Sequence, residues 1–396
     1  MKNITLLGPV SSKDIIDKFK LAKNLKLPKG HGVSVLSILA KGFIKNGCKV
    51  TIITLSDDIK KIKNFFLTKN LKIIFCPLRP NGLKFNGKYL GRALDFFYRE
   101  IQYLKKAINI SNTNFICAHW TYEYAIAAIN SKKKYSIHIR DIAHKIFFFH
   151  LDFYRFIRFL MNLYVFIFGK NFIANSHYTK KNVKCYFNRK ISVIYNPVEF
   201  INHKFKKKKF NKKKLKILIV TSGGMSKRKN IENGIFAFNL LLKKYPYSSL
   251  TLIGSDTEKY GKYYNFCKKN NLLKNIKFTG YINHNKVINF MHKSDILLNP
   301  SLEESFGRNY IDAMICKLPI IAGKYSGATK EIVDKNGLLV DVRNSNEIYK
   351  ALIYYCKNHL IYKKISQNSY EYVKKFDYKN ITKKYLNLLM KFSENK

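Results

Sequence analysis

Two short stretches hold the residue types that could handle a charged, hydroxyl-rich ligand. The first is Leu298-Asn299-Pro300-Ser301-Leu302-Glu303-Glu304-Ser305-Phe306-Gly307-Arg308-Asn309-Tyr310-Ile311-Asp312-Ala313-Met314. The apolar run before it, Ile296-Leu297-Leu298, is short enough for a buried parallel strand, which Pro300 closes before Ser301 opens a turn. From about Phe306 the spacing turns helical, with Tyr310, Ala313 and Met314 on one face. Free N–H groups at that helix start, near Ser305, Phe306 and Gly307, suit phosphate or hydroxyl oxygens. Gly307 also lets a backbone come close. Glu304 repels phosphate, so its natural partners are hydroxyls, which a carboxylate takes two at a time. Asp312 follows roughly two helical turns later. The two carboxylates read as a clamp on the polyhydroxyl ends of a nucleotide sugar, or as solvated surface acids; on these residues alone the solvated reading is the simpler.

The second stretch is Thr221-Ser222-Gly223-Gly224-Met225-Ser226-Lys227-Arg228-Lys229-Asn230. It follows the buried strand Leu215–Val220 and precedes a helix from Ile231 to Leu242. Glycines at a strand end, then cations at a helix start, make a diphosphate site from backbone N–H groups plus Lys and Arg. A P-loop is excluded, since G-x-x-x-x-G-K-[ST] is absent.

These stretches must be carried by alternating strands and helices. Ile4–Leu7, the loop Pro28-Lys29-Gly30-His31-Gly32-Val33, a helix through Val35, Leu36, Leu39 and Phe43 ending at Asn46-Gly47, and Lys49–Leu55 form a βαβ element and imply a parallel sheet. Leu71–Cys76 and Asn114–Ala118 continue it, with an amphipathic helix from Ala93 to Ile108 between them. His119 ends the second of these strands, where open α/β sheets bind ligands, although a packed core histidine fits equally. Tyr135-Ser136-Ile137-His138-Ile139-Arg140-Asp141 is a strand with a charged end. Asn171–Thr179 reads as strand then turn, and Val193–Glu199 as another strand.

The acidic stretch resembles the signature of the large retaining glycosyltransferase family 4, P-S-x-x-E-x-F-G-x-x-x-x-E-A-M. Pro300, Ser301, Glu304, Phe306, Gly307, Ala313 and Met314 match, and Asp312 stands one methylene short of the second Glu. The resemblance implies a GT-B architecture: two Rossmann-like α/β domains facing an interdomain cleft, over residues 1–200 and 201–375, with a helix from 376 to 396 crossing back. It also implies that Glu304 addresses the donor sugar and Asp312 the ribose. Lys229-Asn230 fit the family's Lys-Asn; Gly224 takes the usual Arg position, so Arg228 or Lys227 supplies the second cation, beside Gly223. The backbone after Gly280, at Tyr281, would edge the base. In the first domain the resemblance turns the Gly30–Gly32 loop to the cleft, against acceptor or donor phosphate, and His119 and Asp141 at their strand ends join Gly30 and Gly32 as acceptor or cleft candidates. Arg140 falls where the family carries a catalytic His, with His138 as rival. No D-x-D ends a strand, so neither metal nor cofactor is expected; the nucleotide-diphosphate sugar is a substrate.

The 396 residues suffice for two cores, and 46% hydrophobic content excludes a disordered chain. Seven scattered cysteines argue against a disulfide framework or zinc site and for a reducing cytoplasm. The immediate first strand leaves no room for a signal peptide. Net charge is +50, from 74 Lys+Arg against 24 Asp+Glu. Such a charge suits nucleic acid, anionic lipid, or codon-driven drift toward Lys, Asn and Ile. Drift accounts for most of the total, and cations spread along every segment, including the run Lys204–Lys216 at the domain boundary, count against nucleic acid. Residues 147–169 are apolar and aromatic but broken by His150, Asp152, Arg155 and Arg158, too charged to span a bilayer. They suit an interfacial helix with Arg155 and Arg158 among headgroups, or a helix packed between sheet and solvent. Partners on this reading are a nucleotide sugar, a saccharide or lipid-linked acceptor, and an anionic membrane surface.

Overall fold

A computed structural model describes residues 2–22, 24–32, 34–80, 91–184, 188–200, 210–211 and 213–394. Most of the basic run Lys204–Lys216, as well as Cys185 and Val33, lies outside them. The chain divides into two compact units: residues 1–199 with 376–396, and residues 200–375.

The first unit is built on β1 (Asn3–Leu7), β2 (Lys49–Ser56), β3 (Lys63–Thr68), β4 (Leu71–Pro77), β5 (Phe115–His119), β6 (Tyr135–Ile139), β7 (Phe172–Ala174) and β8 (Ile191–Val193), in the order β3-β4-β2-β1-β5-β6-β7-β8. Every pairing is parallel except β3 on β4. The interior strands are almost wholly buried because helices cover both faces. Chain order reverses between β1 and β5, which places the loops after these strands side by side.

The second unit has β9 (Lys216–Thr221), β10 (Ser249–Gly254), β11 (Ile276–Phe278), β12 (Ile296–Asn299), β13 (Ile320–Gly323) and β14 (Gly337–Val340), in the order β11-β10-β9-β12-β13-β14. All pairings are parallel. Its reversal falls between β9 and β12, paired through Ile217↔Ile296 and Leu218↔Leu297. Both candidate stretches leave the carboxyl ends of these two adjacent strands.

Several expectations change. The helix read from Ala93 begins at Tyr98, because Phe96 and Phe97 adopt positive φ (51° and 61°). Residues 147–169 form two helices, Ala143–His150 and Phe153–Phe168, parted where Leu151 is left-handed and the Asp152 side chain caps the second by accepting from the Arg155 N–H. Val193–Glu199 carries the end of β8 and then a single bridge, Val198 to Asp377, that ties the returning chain to the first unit. The final helix, Tyr378–Glu394, packs on the helix Val35–Lys45 and sends the fully buried Tyr385 into the sheet's polar end. The helix Ser12–Phe19 and the antiparallel β3 had no counterpart in the sequence reading.

Candidate active site

In the second unit the loops after β9 and β12 lock together. The Leu302 N–H donates to the Arg228 carbonyl at 2.8 Å, Arg228 donates to the Glu303 carbonyl at 3.1 Å, and the Asn230 amide donates to the Pro300 carbonyl at 3.0 Å. Across this seam the Lys229 ammonium meets the Glu304 carboxylate at 2.7 Å, and both side chains are largely buried. Burial pushes the Glu304 carboxyl up, but the charges of Lys229 and Arg228, with hydrogen bonds from Lys229 and Ser301, outweigh it and hold it below its usual range. Glu304 is therefore an acceptor-only carboxylate at neutral pH, and Lys229 keeps two further N–H donors.

The turn bearing Glu304 is seated from a third side. The Ala328 N–H donates to the Glu304 carbonyl at 2.7 Å, and a Cβ on Gly327 would strike the Glu304 backbone. Gly307 (φ 75°) precedes a helix that starts at Arg308, slightly later than its spacing implied. Phe306 is buried, so its contribution to a site is its backbone. Asn309 fastens this helix to β9 by donating to the Val220 carbonyl at 2.9 Å.

Asp312 is buried, with its two oxygens on different partners: Oδ1 accepts from Arg308 Nε at 3.1 Å, and Oδ2 lies 2.9 Å from His284 Nε2. Burial raises its carboxyl, and Arg308 and His284 more than reverse that, bringing it to about 2. The short side chain thus presents a guanidinium and an imidazole around itself, an arrangement its spacing did not show. Arg308 at i,i+4 was legible as a partner; His284, on a different helix, was not. Gly224 (φ 71°) faces Asp256, which accepts the Met225 N–H at 2.8 Å and so pins the glycine loop where the family pattern has an Arg. Asp256 gave no sequence signal. Gly223 is exposed, and Tyr281 is 84% exposed just beyond β11.

The first-unit candidates sort differently. His138 is a core residue: its Nε2 meets Ser136 at 3.1 Å, its Nδ1 meets Tyr385 at 3.3 Å, and its ring stacks between His119 (4.2 Å) and Tyr385 (5.3 Å). Arg140 turns into the same network, 2.8 Å from His119 Nδ1 and 3.3 Å from the Tyr385 hydroxyl, and also donates to Asn196. Burial, reinforced by Arg140, holds both histidines well below the usual imidazole range and so neutral. With Nδ1 accepting from Arg140, His119 carries its proton on Nε2, a buried donor without a hydrogen-bond partner among the described residues. Asp141 accepts from the Tyr122 hydroxyl at 2.9 Å. Gly30 and Gly32 are glycines for a packing reason, since a Cβ on either would run into the Pro9-Val10 backbone.

Two mainly parallel sheets of this order, each with its reversal point lined by polar loops, define the GT-B class of α/β protein. The model of glycosyl transferases group 1 matches residues 202–372, and that of glycosyltransferase family 4 matches residues 30–200. The chain belongs to the group 1 glycosyltransferases of family 4. It is 34% identical over 128 residues to an uncharacterised glycosyltransferase of Methanocaldococcus jannaschii, covering 32% of this chain. That match spans 36%, about a third, of the relative's own length. Sucrose-phosphate synthase from Thermosynechococcus elongatus superposes with a TM-score of 0.77 at 16% identity, over 99% of each chain. The Anabaena protein HepE in complex with UDP-glucose superposes with a TM-score of 0.65 at 16% identity, over 99% of this chain and 100% of that one.

Proposed function

We propose that this chain transfers a sugar from a nucleotide-diphosphate sugar to a hydroxyl acceptor with retention of anomeric configuration. The observation that carries the reading is the Lys229–Glu304 pair at the reversal point of the second sheet. Lys229, with donors to spare, and Arg228 take the diphosphate, aided by the amides that open the helix Arg308–Ile315. Their charge stands in for a metal ion. Glu304, kept ionised, accepts from sugar hydroxyls, and Lys229 between them shields it from the phosphates. As the glycosidic bond breaks, charge grows on the leaving phosphate, and the same cations stabilise it; this is the main catalytic contribution. The leaving phosphate takes the acceptor's proton. A nucleotide sugar is supported by the UDP-glucose bound to HepE.

The acceptor is a lipid-linked or envelope saccharide, met at a membrane surface. No helix among the described residues is long and apolar enough to cross a bilayer. The helix Phe153–Phe168 instead exposes Phe153, Phe156, Ile167 and Phe168, while Leu160 packs on the core, and Phe148 and Leu151 beside it are 68% and 70% exposed. Of the two arginines read among headgroups, Arg155 pairs with Asp152 and stays partly exposed, whereas Arg158 is turned onto the Tyr122 ring at 3.6 Å.

Lys229→Ala and Glu304→Ala should each lower turnover by roughly a hundredfold or more, the loss typical of removing one preorganised charge partner. Turnover with a synthetic acceptor is the measurement, and unchanged rates in both would remove the site assignment. Release of free sugar without acceptor would instead favour a nucleotide-sugar hydrolase or epimerase.

A further inference from the structure

A cavity of about 620 Å³ lies at the edge of the first unit, against the amino ends of β7 and β8. His119 and Arg140 lie at the opposite, carboxyl ends of β5 and β6, so the cavity is separate from that end of the sheet. Four cations line it, Lys170, Arg189, Lys190 and Lys391, against one carboxylate, Glu394. None of the four is ion-paired among the described residues. Its floor is apolar, from Phe172, Leu388 and Phe392.

Arg189 is fixed in place. Its Nε donates to the Phe166 carbonyl at 3.0 Å and its NH2 to the Ile167 carbonyl at 2.6 Å, so it caps the carboxyl end of the helix Phe153–Phe168. Two of its five N–H donors are engaged there, which leaves a rigid fork at the rim. That same helix end shows Ile167 and Phe168 at 54% and 59% exposure, directly beside the cations. Exposed apolar side chains thus stand at both ends of this helix, and its carboxyl end meets a basic hollow with an apolar lining.

We propose that this hollow receives the phosphoryl headgroup of an anionic phospholipid while the exposed Ile167 and Phe168 beside it lie in the acyl boundary. The inference rests on the bilayer reading above and adds a specific headgroup site to it. Charge complementarity selects the phosphoryl group, and the apolar floor and the adjoining exposed Ile167 and Phe168 select a lipid over free phosphate.

The test is co-sedimentation of the full chain with phosphatidylcholine vesicles containing phosphatidylglycerol. The variant Lys170→Gln/Lys190→Gln/Lys391→Gln should partition on the order of a hundredfold more weakly, about fivefold per lysine. The charge-matched control Lys357→Gln/Lys363→Gln/Lys364→Gln, on the second unit, should change by no more than a few fold. Equal losses in the two variants would reduce the effect to net charge and overturn the pocket, leaving the bilayer reading in place. Failure of the unaltered chain to bind vesicles would overturn both. Inorganic phosphate should displace the bound protein no better than sodium chloride of equal ionic strength; selective displacement would assign the hollow to free phosphate and overturn the lipid. Nucleotide-sugar binding, followed in parallel by thermal shift, should be the same in both variants, so that failure here is distinct from failure of the transferase reading.

Discussion

Lys229 and Glu304 are buried opposite charges, and each is tolerable only because the other is there. Truncating either to Ala strands a charge, at a cost of about 3–5 kcal/mol, whereas removing both strands none. Urea unfolding of the two single variants and the double variant should therefore show the double costing clearly less than the sum. Additive losses would mean that the pair is not coupled. Asp312 carries a pH signature. Its folded carboxyl sits at about 2 against an ordinary 3.8, so ionised Asp312 favours the folded state by about 2 kcal/mol at neutral pH. That stability is fully present above about pH 4 and drains away as pH falls toward 2. Asp312→Asn should flatten the acid limb of the stability profile over that window, and an unaltered acid limb would contradict the Arg308–Asp312–His284 arrangement.

At the scale of elements, the proposed donor site depends on three loops meeting, and Gly327 is where the third touches. Gly327→Ala should weaken nucleotide-sugar binding tenfold or more, because the added Cβ displaces the Glu304 turn. Gly47→Ala has a similar left-handed backbone but nothing within 4 Å, so it should cost about 1 kcal/mol of stability and leave binding unchanged. Titration of both variants with one nucleotide sugar decides it; equal affinities would show that the turn does not depend on that contact. The loops after β9 and β12 were legible in the sequence because their signals are local: an apolar run, a glycine or proline stop, then helical spacing. Their meeting was implied by βα alternation, which fixes a parallel sheet and a reversal point. What stayed hidden is set by distant residues. Arg158 reads as a surface cation until Tyr122 and Trp120, from another part of the chain, enclose its guanidinium. His138 looked available until Tyr385 arrived from the last helix to cover its ring. The break before Phe153 did have a local signal, Asp152 as a cap, which the apolar residues around it obscured. The edge strand β3 pairs antiparallel, and its residues are mostly exposed, with Phe66 at 80%, so it lacked the buried run that revealed the others.

At the scale of the whole molecule, 74 basic side chains share 24 acidic ones, so most cations have no carboxylate to meet. Against that background a cation shows function through rigidity and burial rather than charge, which is why Lys229, 5% exposed and anchored, carries the argument and the surface lysines do not. The most direct test is thermal unfolding of the full chain against a panel of nucleotide-diphosphate sugars, with Lys229→Gln and Glu304→Gln beside it. At 100 times its dissociation constant, at least one donor should stabilise the unaltered chain by about 2.7 kcal/mol, and both variants should lose that gain. If no nucleotide sugar stabilises the chain, or if both variants respond as fully as the unaltered protein, the donor site is not at the junction of β9 and β12.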